Sequence, residues 1–135
     1  MDEVEASEKL EGMAKDYARS VTTVFSQLEI NLIELKDWSC CGATAAHSLN
    51  EVMSVILPAR NLAIAEKSGL DLVAPCANCF NRLRASQNMV KRKIFDIRWK
   101  VTGDIEVHDM KRFLAEPQMM KRVKARVRKP LKGLR

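Results

Sequence analysis

The chain has 135 residues, enough for one domain. It is 47% hydrophobic and 30% charged, ordinary for a globular domain, and its densest apolar run, SVILPA, is far shorter than the ~18 residues of a membrane span. The acidic, polar start MDEVEASEKL is no secretory signal, so the expected place is the cytoplasm, where thiols stay reduced. Four cysteines in that setting point to metal or redox chemistry before structural disulfides.

The net charge of +6 is unevenly spread: residues 117–135 hold eight Lys and Arg and no acid, which leaves 15 basic against 17 acidic residues elsewhere. The sequence describes a nearly neutral domain, 1–116, with a basic tail, 117–135. Nucleic-acid binding is not expected, because no aromatic platform accompanies the tail. A solvated helix or linker is the simpler reading.

Leu10, Met13, Ala14, Tyr17, Val21, Val24, Phe25 and Leu28 form one apolar helical stripe. INLIEL (30–35) alternates weakly and predicts a short strand. A second helix is expected from Ser48 to Lys67, with Leu49, Val52, Met53, Ile56 and Leu57 on its apolar face, a kink or restart at Pro58 and a stop at Gly69. LDLVAP (70–75) reads as a buried parallel strand. A long helix follows over 76–100, with Phe80, Leu83, Val90, Ile94 and Ile97 inward. DIEVHD (104–109) predicts a third strand with Ile105 and Val107 on one side, and MKRFLAE a further helix. This alternation is that of an α/β layer: a small parallel sheet flanked by helices. Because the chain opens on a helix, the fold is expected to lack its first strand.

Both cysteine groups stand where a predicted strand ends. Cys40 and Cys41 are adjacent in DWSCCGAT, and Cys76 and Cys79 form a C-x-x-C in PCANC. Loops beyond strand carboxyl ends are where open α/β sheets bind ligands. Cys76 and Cys79 also open a helix, whose dipole and unpaired N–H groups favour thiolates or an anionic cluster. Gly42 lets backbone approach a bulky ligand. Four thiolates suit tetrahedral zinc, but zinc knuckles take their pairs from spaced cysteines. Neighbouring cysteines can serve different corners of a multi-iron cluster, so an iron–sulfur cluster is favoured, with zinc as the alternative.

DWSCCGAT, ARNLAIAEKSG and LVAPCANCFNRL together resemble the cysteine-rich CCG domain found in the B subunit of heterodisulfide reductase, over about Glu8 to Arg135. The resemblance implies an oxidoreductase component that reduces the coenzyme M–coenzyme B heterodisulfide in methanogens, or another disulfide in relatives. It implies two CCG domains, each with a noncubane 4Fe–4S cluster. The implied partners are the flavin-containing subunit and the small iron–sulfur subunit of a heterodisulfide reductase complex. Cys40, Cys41, Cys76 and Cys79 match four of that family's five cysteines.

The fifth should sit in a segment resembling PGCSLEG, on a strand before the first helix. Here the stretch is SEKLEG: Leu10, Glu11 and Gly12 align, and Glu8 stands at the cysteine position. The end, VRKPLKGLR, resembles the linker into a second CCG domain, which is absent from this sequence. The chain is thus expected to be the N-terminal half of such a protein, shortened at both ends, and inactive alone. A separate second CCG domain would be a further partner.

Of the remaining polar residues, His47 is weighed as a cap before a ligand, and His108 receives no role. Trp38 is expected to lie as a lid over the site. Asn78 and Asn81 would bond a cluster or cap the helix. Arg60 and Arg82 could draw an anionic substrate. Met119 and Met120 are assigned to core packing of the tail.

Overall fold

A computed structural model describes residues 2–6, 15–43, 48–94, 97 and 99–133, and of residues 2–6 the backbone. Leu10, Met13 and Ala14 of the first stripe, Glu8, and His47 lie outside the described residues.

The opening strand, expected to be missing, is present. Asp2–Ala6 forms β1 and pairs in parallel on both sides. Its register runs from Asp2 opposite Ile30 to Ala6 opposite Glu34 on one edge, and from Val4 opposite Asp71 to Ala6 opposite Val73 on the other. The segment DEVEA offers only the short alternation Glu3-Val4-Glu5-Ala6, too brief and too acidic for periodicity to announce a strand. Two flanking strands supply its hydrogen bonds and override its weak local preference.

The other strands are β2 (Ile30–Glu34), β3 (Asp71–Ala74) and β4 (Val107–Asp109). The sheet order is β2-β1-β3-β4, and every pairing is parallel. The edges are therefore β2 and β4, and the centre that the sequence left empty is filled by β1. This small parallel sheet flanked by helices is the α/β class read from the sequence.

Helix α1 (Lys15–Gln27) joins β1 to β2, and buries Val21 and Phe25 one turn apart. Tyr17 and Val24, also in the predicted stripe, stay substantially exposed. Helix α2 (Glu51–Ser68) joins β2 to β3. Asn50 caps it, accepting from the Met53 N–H at 3.0 Å, so this helix starts later than the expected Ser48. Pro58 lies inside α2 without breaking it; it is buried beside Ala59 and Leu62, and packing holds the turn despite the lost N–H donor. Gly69 ends α2 at φ 71°, the stop expected of it.

Helix α3 (Ala77–Lys91) is shorter than the predicted 76–100. It closes where Lys93 turns to φ 53° and the Ile94 N–H reaches back to the Met89 carbonyl at 3.1 Å. The chain must reverse here to reach β4, and Val101 and Ile105 pack back on the core while Ile94 is left exposed. Two side chains, buried Gln87 and half-buried Glu66, tie down the reversal. Gln87 Nε2 donates to the Gly103 and Ile105 carbonyls at 2.8 and 2.6 Å. The Glu66 carboxylate accepts from the Thr102 and Gly103 N–H groups.

Right-handed crossovers place α1 on one face of the sheet and α2 and α3 on the other. One apolar cluster accordingly gathers Val21, Phe25, Leu28, Ile30, Val73 and Met119, and the second gathers Leu35, Leu62, Ala65, Leu72, Ala74, Leu83 and Val107. Two short helices, α4 (Met110–Ala115) and α5 (Pro117–Arg126), close the first face. Asp109 caps α4 through the N–H groups of Lys111 and Arg112. Phe113 stacks on Phe25 with centroids 6.0 Å apart. From the basic tail, Met119 is buried in the first cluster, Val123 packs beside it, and Arg126 pairs with Glu29.

Candidate metal centre

In this strand order the chain leaves β1 toward β2 and later crosses back to β3, so the order reverses between β1 and β3. Such a switch point opens a crevice at the strand carboxyl ends. The loop after β2 carries Cys40 and Cys41, and the turn after β3 carries Cys76, with Cys79 in the first turn of α3. Glu8 follows the end of β1 by two residues in sequence.

After β2, buried Leu35 anchors the chain and Asp37 turns it at φ 56°. Arg60 of α2 holds that turn, donating to the Asp37 carbonyl at 2.5 Å and to its carboxylate at 2.6 Å. Arg60 is therefore engaged by its own chain. Trp38 packs on the Leu35–Leu62 cluster, and its Nε1 donates to Glu34 at 3.2 Å. Asn61, 2% exposed, then meets Ser39: Oδ1 accepts the Ser39 N–H at 2.9 Å and Nδ2 donates to the Ser39 carbonyl at 2.7 Å. Cys40 follows and is exposed, while Cys41 is buried. Gly42 adopts φ 68°, a conformation that glycine takes without strain, and its N–H reaches Cys40 Sγ at 3.4 Å.

After β3, Pro75 is buried and its carbonyl accepts from the Tyr17 hydroxyl at 2.8 Å. Cys76 is the N-cap of α3, and its carbonyl receives the first helical bond, from Phe80 N at 2.9 Å. Cys79 lies one turn further along. Asn78 and Asn81 are exposed positions inside the helix, so neither is its N-cap. Arg82 is half-buried on the same helix.

Cys41 Sγ and Cys79 Sγ stand 2.8 Å apart, although one comes from the loop after β2 and the other from the first turn of α3, after β3. None of the four cysteines is in a disulfide; a covalent pair would sit at about 2.05 Å. Cys40 and Cys76 do not join the close pair. Among the described residues, no group of three or more His, Cys, Asp or Glu side chains is arranged to hold a metal ion. The donor set is four thiols with a backbone N–H already aimed at one sulfur. That chemistry suits a soft metal or an iron–sulfur group. His108 stands elsewhere: its Nε2 lies 3.6 Å from Asp71 at the amino end of β3, and its ring packs edge-on to Phe113.

Sequence reasoning missed Asn61 and the Tyr17–Pro75 bond. A polar Asn within the apolar run ARNLAIA was the available signal for the first. The second had none, because Tyr17 is part of the same stripe that predicts the helix.

Residues 8–84 match the CCG cysteine-rich domain family, and the chain belongs to it. This family is associated with iron–sulfur binding. The chain is 29% identical over 125 residues to the 8-methylmenaquinol:fumarate reductase membrane anchor subunit of Wolinella succinogenes, covering 87% of this chain and 43% of that protein. It is 32% identical over 74 residues to a protein of Archaeoglobus profundus described as like the B subunit of heterodisulfide reductase, covering 54% of this chain and 25% of that protein. The chain thus spans less than half the length of these relatives. Family and relatives together point to an iron–sulfur, redox-related function. No helix among the described residues is long and apolar enough to cross a membrane.

Proposed function

We propose that Cys40, Cys41, Cys76 and Cys79 hold an iron–sulfur cluster of the noncubane 4Fe–4S kind, and that the chain is a redox domain of a heterodisulfide-reductase-like complex. The observation that carries this reading is the approach of Cys41 Sγ to Cys79 Sγ, 2.8 Å apart, from the loop after β2 and the first turn of α3 at the switch point. A C-x-x-C dithiol working alone would not need a sulfur from the loop after β2. The Gly42 N–H on Cys40 Sγ places a backbone donor on one of the four sulfurs, as a cluster's cysteine ligands commonly have.

When bound, such a cluster supplies single electrons. Opening a disulfide takes two electrons and two protons and yields two thiols. A one-electron domain therefore works beside a second one, here a second CCG domain reached through the basic residues that follow α5. The substrate is the coenzyme M–coenzyme B heterodisulfide or a related disulfide. The flavin-containing and small iron–sulfur subunits of the complex would deliver the electrons, in the cytoplasm.

Anaerobic reconstitution with iron and sulfide, followed by metal analysis and EPR of the oxidised sample, tests the reading. About four irons and four acid-labile sulfides per chain are expected. A colourless protein with no iron, or with one tightly held zinc, overturns it.

A further inference from the structure

Helix α2 places a carboxamide where an apolar side chain would serve the helix better. Asn61 is 2% exposed, its neighbours Ala59, Leu62 and Ala65 are fully buried, and Asn is a poorer helix former than Ala or Leu. A buried carboxamide is tolerated only when its donors and acceptors are met. Asn61 meets them on one residue. Oδ1 accepts from the Ser39 N–H at 2.9 Å and lies 3.4 Å from the Ser39 hydroxyl, while Nδ2 donates to the Ser39 carbonyl at 2.7 Å. The side chain pairs with Ser39 as a neighbouring strand would.

The Ser39 carbonyl belongs to the peptide plane that also contains the Cys40 nitrogen. Fixing both polar groups of Ser39 therefore fixes how the chain enters Cys40 and Cys41. The preceding residue of α2 acts on the same loop, because Arg60 holds the carbonyl and carboxylate of Asp37. Consecutive residues of one helix thus clamp Asp37 and Ser39, on either side of Trp38. Cys41 emerges buried, with its sulfur beside Cys79.

We propose that Asn61 is a positioning residue for the cysteine pair: it presets the Cys40–Cys41 loop before any metal arrives, without touching a sulfur itself. This rests on the reading of the cysteines as cluster ligands.

The test compares Asn61→Ala, Asn61→Asp and Ser86→Ala in the full chain. Ser86 is buried on α3 and donates to the Val55 carbonyl of α2 at 2.8 Å, so its loss disturbs the same helix pair away from the loop. The readouts are the alkylation rate of each thiol under anaerobic conditions, by mass spectrometry, and iron per chain after reconstitution. Asn61→Ala should raise the Cys41 rate about tenfold through local opening of the loop, and should lower iron uptake. Asn61→Asp should behave similarly at neutral pH, because a carboxylate accepts from the Ser39 N–H but cannot donate to its carbonyl. Ser86→Ala should leave the Cys41 rate unchanged. Equal Cys41 protection in wild type and Asn61→Ala, or equal loss in Asn61→Ala and Ser86→Ala, overturns the proposal. A wild-type chain that takes up no iron defeats the cluster reading alone, and the alkylation rates still decide whether Asn61 presets the loop.

Discussion

The hydroxyl of Tyr17 donates to the carbonyl of Pro75 at 2.8 Å, across 58 residues of sequence. It ties α1, on one face of the sheet, to the peptide that leads directly into Cys76. The first crossover thereby supports the loop that follows the third strand.

Tyr17→Phe should cost about 1 kcal/mol in stability, the usual worth of one such bond. Urea denaturation reads that loss. The more specific consequence is faster alkylation of Cys76, with Cys41 unaffected. An unchanged Cys76 rate would show that the bond only stabilises the fold.

Cys41→Ser and Cys79→Ser should each remove most of the iron taken up on reconstitution, because their sulfurs converge at 2.8 Å and serine oxygen is a harder donor. Visible absorption and iron analysis check this. Wild-type iron content in either variant would exclude that cysteine from the cluster.

Gln87→Ala should destabilise by about 2 kcal/mol, since it strands the Gly103 and Ile105 carbonyls. Gly103→Ala should also destabilise, because its φ is 78° and a Cβ there would come within 3.1 Å of the Lys91 side chain. Denaturant midpoints test both. Neither change should alter thiol alkylation, since the bonds of Gln87 and the turn at Gly103 hold the connection between α3 and β4 and not the cysteine-bearing segments.

Met119→Ala should cost about 2 kcal/mol, as expected of a large side chain removed from a core. A linker residue would give almost nothing. Chemical unfolding therefore measures how far the basic segment belongs to this domain. Met119 is 8% exposed and packs within the cluster of Val21 and Phe25, which favours the larger value.

The elements with an apolar rhythm were legible in part: Tyr17, Val24, Leu49, Val52 and Met53, read as inward, are exposed. Val21 and Phe25 of α1, Leu72 and Val73 of β3, and Val107 of β4 all fall inward as their spacing requires. The stop at Gly69 was equally plain, because a left-handed residue there is the ordinary way to end a helix. Pro58 misled for the converse reason. Its local preference is to interrupt a helix, and burial beside Ala59 and Leu62 outweighed it. The end of α3 was hidden because the residues that hold the reversal, Glu66 and Gln87, are remote in sequence from the loop they bind.

The sequence by itself determined the chemistry on offer: four thiols in two motifs, each following an apolar strand, in a chain whose elements alternate as α/β. Those properties are local, because donor type, spacing and periodicity are carried by neighbouring residues. Only the tertiary structure decided that DEVEA is an inner strand of the sheet, since its stability comes from hydrogen bonds to β2 and β3. Only the tertiary structure brought Cys41 beside Cys79 and Asn61 beneath Ser39, because crossover handedness and helix packing set distances between residues far apart along the chain.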